Sequence, residues 1–258
     1  MLRLDCTLPT AAENVALDEA LLEWAEENSD AEFLRTWESP HPVVVAGRSS
    51  RISQEIDRMA CDERGIPIIR RSSGGAAIVT GPGCLMYAVV LSYAGRPELK
   101  DIGRAHRYVL ERLTRALASY GLQTARAGTS DLVIADCGFG VADSRTPDWQ
   151  TAISSRKFSG NSLRAKRTHF LYHGTLLYDF DLALIATCLR MPPRQPDYRG
   201  ARPHLDFVTN LPLTKQRLIE ALDLAWPTTS ELAEFPAQRV AHLVATRFTQ
   251  PSWNFEFE

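Results

Sequence analysis

Between residues 42 and 93 the chain strings together short, β-rich apolar runs, each closed by glycine, proline or arginine: PVVVAG, PIIRR, AAIVT and LMYAVVLSY. A continuous β-branched stretch such as Val43-Val44-Val45, ending at Gly47, reads as a buried strand entering a turn. Several such runs within 50 residues commit this part of the chain to a sheet. The extended run 32–37 precedes them, and short strands return from 122 to 178, interrupted by the polar loop CGFGVADSRTPDW at 137–149.

Helical spacing lies on either side. Residues 13–27 place Val15, Ala16, Ala20, Leu21 and Trp24 on one side and acids on the other, as an amphipathic helix requires. Residues 101–120 space Ile102, Ala105, Val109, Leu113 and Leu117 in the same way and end at Gly121. Further helices are expected over 52–65, stopped by Gly65, and over 181–190, 214–225 and 236–246. The pattern predicts one α+β domain of 258 residues, a mixed, largely antiparallel sheet flanked by helices.

Composition excludes several classes. No apolar run approaches the roughly 20 residues that span a bilayer, and the N-terminus, MLRLDCTLPTAAEN, is no secretory signal. A formal charge of −2 lacks the basic excess of a nucleic-acid binder. Five cysteines (Cys6, Cys61, Cys84, Cys137 and Cys188) contain no CxxC pair. Neither a disulfide framework nor a metal site is expected, and a reducing cytoplasm suits them.

Two segments concentrate chemistry. Arg70 to Val79, RRSSGGAAIV, puts two arginines, two hydroxyls and two glycines between consecutive strands. Glycines let backbone N–H donors approach an anion, and a guanidinium adds a delocalised charge shaped for phosphate or carboxylate. Spacing alone is equally compatible with a Gly-rich hairpin bearing two solvated arginines. In the second segment Lys157 lies in an expected strand, Ser159 and Gly160 fall where a turn is expected, and His173-Gly174-Thr175 sit mid-strand. Lys157 could bridge an acyl carboxylate and a phosphate, or only protect a sheet edge. His173 by itself reads as a structural histidine.

Together these segments resemble the catalytic domain of the lipoate–protein ligase A and octanoyltransferase family, itself related to biotin–protein ligases and class II synthetase-like folds. The resemblance rests on Arg70-Arg71-Ser72-Ser73-Gly74-Gly75-Ala76, Lys157-Phe158-Ser159-Gly160 and His173-Gly174-Thr175-Leu176-Leu177. NVALDEALL (14–22), VVVAGR (43–48), the loop 194–211 and PSWNF (251–255) extend it over most of the chain. It implies that lipoate or octanoate is activated by ATP, with Mg2+, as an acyl adenylate. The acyl group then passes to one lysine of a lipoyl carrier domain, such as an E2 subunit or a glycine-cleavage H-type protein.

Under that resemblance Lys157 is the catalytic residue, touching acyl carbonyl and phosphate. Arg71 and the backbone of Ala76, Ala77, Ile78 and Val79 hold the nucleotide phosphate, and Gly74 and Gly75 permit its approach. Ser73, Asp131 and His173 complete the binding set. Departures from the family pattern are Ala76 for a third glycine, Thr80-Gly81 for His-Asp, and Thr129-Ser130 before Asp131. The chain is expected to be a catalytic domain over 1–258 without a C-terminal accessory domain; either a separate polypeptide supplies that domain, or the full ATP-dependent reaction is not carried out.

Two other readings stay open: an ATP-independent octanoyl or lipoyl transferase with Cys137 as nucleophile, and a non-catalytic acyl- or carrier-binding homologue. Arg164, Lys166 and Arg167 are candidates for contact with an acidic carrier surface, or a solvated strand end.

Overall fold

The computed structural model describes residues 1–28, 31–135 and 155–258. Strand β1 (Leu2–Asp5) leads into helix α1 (Ala11–Glu27). Thr10 starts that helix with a reciprocal capping box: its side chain accepts from the Glu13 N–H while Glu13 reaches back to the Thr10 N–H. Val15, Ala16, Ala20 and Leu21 are buried as their spacing predicts, but so are Asp18 and Glu19, each 2% exposed. The acids are therefore not confined to a solvated face. Asp18 meets Arg35, and Glu19 meets Arg247 at 2.6 Å.

Strands β2 (Phe33–Trp37) and β3 (Val43–Ala46) follow. The helix expected over 52–65 is two, α2 (Ile52–Glu55) and α3 (Arg58–Glu63). The backbone is diverted between them: Ile56 bridges Leu189, Asp57 N–H donates to the Cys188 carbonyl, and the Asp57 side chain caps α3 at Ala60. Gly65 ends α3 with φ +63°. Strands β4 (Ile68–Arg70), β5 (Ile78–Thr80) and β6 (Cys84–Ser92) precede α4 (Ile102–Ala118). Then come β7 (Thr124–Ala127), β8 (Asp131–Ala135), β9 (Ser155–Ala165), β10 (His169–Leu177) and α5 (Leu182–Cys188). Helices α6 (His204–Phe207) and α7 (Lys215–Ala225), strand β11 (Ser230–Glu231), and helices α8 (Ala237–Leu243) and α9 (Pro251–Asn254) complete the described chain.

The main sheet has the order β11-β1-β2-β6-β10-β9-β8-β7. It is mixed: β1 runs parallel to β2 and β11, and the other pairings are antiparallel. At its centre β6 and β10 pair from His169↔Ser92 to Leu177↔Cys84, and all nine residues of each are buried. Along β6 the side chains alternate between two cores. Met86, Ala88 and Val90 join α1 and the small sheet, whereas Leu85, Tyr87, Val89 and Leu91 join α4 and α7. Burial on both faces explains why this strand reads as an unbroken apolar run.

A three-stranded sheet, β4-β3-β5, packs beside α1. Here β4 is parallel to β3 and β5 antiparallel to it. The segment RSSGGA is therefore not the tip of a hairpin: it crosses from one side of β3 to the other. Nor does the chain turn at Ser159-Gly160, which lie inside the 11-residue strand β9. Lys157 pairs with Val133 of β8 on one side and bridges Val208 on the other, so it is not an edge lysine. No helix among the described residues is long and apolar enough to cross a membrane.

Candidate active site

The crossing loop is held by its own arginine. Arg71 is 6% exposed and makes four hydrogen bonds: Nε to Ser73 Oγ, Nη1 to the Val45 carbonyl, and Nη2 to the carbonyls of Gly74 and Ala76. Burial pulls its pKa down to about 10. The guanidinium thus staples the loop, where the sequence suggested a fork open to phosphate. Gly75 has φ +85°, and a Cβ there would come within 2.9 Å of Arg71 Nη2. Gly47 lies against the same loop, where a Cβ would sit 1.8 Å from the Gly75 carbonyl oxygen.

Arg70, fully buried, points away from the loop and ties the C-terminal segment to it. Its side chain donates to the carbonyls of Gly47, Ser50 and Trp253, and its N–H donates to Asn254. The N–H of Ala77 donates to Glu55 Oε2 at 2.7 Å, and Ile78 and Val79 pair with β3. The backbone donors expected to face an anion are in part already committed.

Across the hollow, Lys157 Nζ lies 2.8 Å from Asp131 Oδ1. The register of β9 against β8 slips between Leu132 and Val133, which pair with Ser159 and Lys157. One extra residue is thereby inserted at Phe158, and such a bulge re-aims the neighbouring side chain. Phe158 turns into the α4–α7 core while Lys157 faces the hollow. Gly160 clears the space for it: a Cβ would come within 2.9 Å of Nζ. Asp131 Oδ2 accepts from the Tyr198 hydroxyl at 2.6 Å. Burial, with the Asp131 charge, pushes the Tyr198 pKa far up and keeps the phenol protonated as donor.

His173 links loop and helix. Its Nε2 is 2.6 Å from Ser73 Oγ and its Nδ1 is 3.1 Å from Asp18 Oδ2. Ser73 Oγ thus accepts from Arg71 Nε and shares a second hydrogen bond with His173. Asp18 also pairs with fully buried Arg35 at 2.5 Å. Burial alone would raise the Asp18 carboxyl, but Arg35 and His173 hold it below the ordinary carboxylate value. Ser73 is 1% exposed and braced on both sides, so this chain of contacts sets the loop and offers no open nucleophile.

These groups converge on one cavity of about 430 Å³, a size typical of small-molecule sites. Its lining combines apolar residues, among them Val15, Trp37, Val45, Met86, Leu177 and Ile185, with polar ones, among them Asp18, Asp131, Lys157, Asn161 and His173. Arg71, Gly75 to Val79, Thr129 and Ser130 line it too, whereas Ser73 and Gly74 stand behind its wall. Arg190 to His204 form a strap along it, latched through Tyr198 to Asp131. A second hollow of about 580 Å³, bounded by Ser49, Ser50, Arg51, Gln54 and Arg194, shares Glu55, Gly75 and Ala76 with the first.

Among the described residues no three His, Cys, Asp or Glu side chains group as metal ligands. The three cavity carboxylates are engaged, Asp18 by Arg35 and His173, Asp131 by Lys157 and Tyr198, Glu55 by Ser50 and Ala77. This donor set does not fit a resident metal. Cys137 lies outside the described residues. At the basic strand end Arg164 donates to the Ser72 carbonyl and Lys166 pairs with Glu23, while Arg167 is exposed.

Several site residues escaped the sequence reading. Asp18 was visible only as a helix acid, and Glu55 and Arg199 carried no motif. Tyr198 lay unremarked within the loop 194–211.

A cavity with an apolar part and a cation held beside it is suited to a long acyl group with a polar head. The chain belongs to the lipoyl protein ligase A/B catalytic domain family, whose model matches residues 10–224. Its relatives include the octanoyltransferase LipM of Geobacillus kaustophilus, 24% identical over 274 residues, covering 94% of this chain and 93% of that protein. Among solved structures it resembles a bi-partite lipoate protein ligase from Thermoplasma acidophilum, studied with its E2 lipoyl domain. The TM-score is 0.78 at 20% identity, over all of this chain and 96% of that one. A lipoate–protein ligase A bound with ATP superposes with a TM-score of 0.72 at 20% identity, over the full length of both chains.

Proposed function

We propose that the protein activates lipoate or octanoate with ATP as an acyl adenylate and transfers the acyl group to a lysine of a lipoyl carrier domain. The observation behind this reading is the union of an apolar trough with the Lys157–Asp131 pair in one cavity. The tail would lie along Val15, Trp37, Val45, Met86 and Leu177, leaving the carboxyl beside Lys157. A fixed ammonium there stabilises negative charge developing on the carbonyl oxygen and on the departing phosphate without reorganising solvent. Alignment of amine and carbonyl supplies much of the remaining acceleration. The adjoining polar hollow gives room for a nucleotide, with Mg2+ arriving on its phosphates.

One observation favours the second reading, transfer from an acylated carrier without ATP. The Ala77 N–H, expected to hold phosphate, is already occupied by the Glu55 carboxylate. In that case an acyl thioester on a protein nucleophile, Cys137, replaces the adenylate. One experiment separates the readings. Protein, apo carrier domain, octanoate, ATP and Mg2+ are incubated and the carrier's intact mass is followed; a parallel reaction uses octanoylated donor carrier and no ATP. Acylation only with ATP supports the ligase, acylation only from the donor carrier supports the transferase, and none in either arm rejects acyl transfer.

A further inference from the structure

Arg199 is an anomaly of charge. It ends the short turn Asp197–Arg199, is 3% exposed and lines the cavity. Its Nε donates to the Arg202 carbonyl at 2.9 Å, and its Nη2 contacts Met191 Sδ and His204 Nδ1 at 3.1 and 3.3 Å. The guanidinium lies 4.5 Å over the Phe207 ring. No carboxylate among the described residues forms an ion pair with it, and Nη1 makes no hydrogen bond there. A desolvated cation without an anion is costly, so buried charges are normally paired.

Arg190 and Arg194 also line the cavity but are exposed, and the other cations around it do not offer the same opening. The charge of Lys157 is matched by Asp131 at 2.8 Å. Arg71 spends its N–H groups inside the loop. The pKa of His204 is lowered from its ordinary value, first by burial and then by the charges of Arg199 and Lys157. Bracing the strap accounts for Nε and Nη2 of Arg199 and leaves Nη1 unexplained.

We infer that Arg199 receives the anionic head of the acyl substrate, either the carboxylate of the free acid or the phosphate of its activated form. The inference rests on reading the cavity as an acyl site and adds a substrate-binding residue from the strap. A guanidinium presents a planar fork to either oxyanion. The bound anion would sit between Lys157 and Arg199, so the strap would sense the head group directly.

The test is calorimetric binding to the full chain with three probes: octanoate, its neutral counterpart octanamide, and octanoyl-sulfamoyl-adenosine, which carries an anionic link in place of the phosphate. Wild type should bind at least one anionic probe more tightly than octanamide. Arg199→Gln keeps a polar group near the Arg202 carbonyl but removes the charge. It should lose about tenfold or more for that anionic probe, with octanamide affinity unchanged, and Arg199→Lys should retain most of the preference. Loss confined to octanoate places the free carboxylate at Arg199, and loss confined to the sulfamoyl probe places the phosphate there. An equal loss for all three probes means Arg199 only braces the strap and overturns the inference. So does an unchanged anion affinity, or a wild type that fails to discriminate or binds no probe. If Arg199→Gln does not fold, wild type and Arg199→Lys still decide: a lysine variant that binds octanamide normally should keep most of the anion preference, and its loss there, or an absent wild-type preference, overturns the inference. Carrier acylation by wild type with charge-blind binding leaves the proposed function standing and this inference refuted. Charge-selective binding without acylation does the reverse.

Discussion

Lys157 and Asp131 face each other across neighbouring strands, Nζ to Oδ1 at 2.8 Å, and the second oxygen of the same carboxylate holds the Tyr198 hydroxyl at 2.6 Å. The ammonium that lines the cavity and the strap beside it are thus tied to one side chain. Moving the strap would alter what restrains Lys157.

Lys157→Ala should abolish carrier acylation, by at least about a hundredfold as for other oriented charges at reacting centres, while the unfolding midpoint shifts little. Intact-mass time courses and thermal melts on the same preparation check both halves. Acylation near the wild-type rate would remove Lys157 from the chemistry.

Tyr198→Phe should uncouple strap from lysine. The ring still packs against Phe207, its centroid 5.3 Å away, so only the hydroxyl contact is lost. A hydrogen bond to a charged group contributes about 1.5–3 kcal/mol, and acylation should slow several-fold. Asp131→Asn should slow it at least as much, because it weakens both contacts. A Tyr198→Phe enzyme with unaltered kinetics would show that the latch has no bearing on turnover.

Much of the scaffold was legible because burial and periodicity leave a local imprint. Val43–Val45 and the run of β6 are apolar throughout because both faces are covered, and α4 shows its one buried face plainly. What escaped depends on distant partners. Nothing local tells that Asp18 is buried, because its burial is licensed by Arg35 and His173, 17 and 155 positions away. The expected turn at Ser159-Gly160 failed for a related reason: Gly160 is there to clear the Lys157 side chain, not to bend the backbone. Lys157 and the loop motif were found by resemblance, yet the direction of the Arg71 guanidinium, into its own loop, needed coordinates.

Two glycines should separate catalysis from stability. A Cβ at Gly160 meets the flexible end of Lys157, Nζ at 2.9 Å and Cε at 3.0 Å. Gly160→Ala should fold normally but displace the ammonium and lose most activity. At Gly47 the Cβ would meet backbone, the Gly75 oxygen at 1.8 Å, so Gly47→Ala must move the whole loop. Its melting temperature should fall together with its activity. If both variants lose stability equally, Gly160 is a packing residue and not a clearance for lysine.

Asp18→Ala should be among the most damaging single changes to stability. It leaves fully buried Arg35 without its anion and His173 without its Nδ1 partner. Breaking one side of a buried pair costs about 3–5 kcal/mol, on the order of 10 °C in melting temperature for a chain of this size. Urea unfolding of the variant measures it, and a loss under about 1 kcal/mol would mean that Arg35 finds other acceptors at no cost.

Mild acid should weaken the fold before any carboxylate titrates. His106 is lowered from the ordinary 6.5 by burial and then by Arg126, and His204 by burial and then by Arg199 and Lys157. In both cases the unfolded chain takes up protons at a higher pH than the folded one. Stability is therefore complete above 6.5 and drains away as pH falls through the window between the unfolded and folded values. Asp18, Glu26 and Glu38 are shifted below their ordinary values, so their contribution is lost only at lower pH, below the usual carboxylate range. Replacing both imidazoles, His106→Gln with His204→Gln, should flatten the dependence of the melting midpoint in the upper window and leave the acid limb below it unchanged. A double variant with the wild-type slope between neutral pH and about 5 would show that the two buried histidines are not the groups responsible.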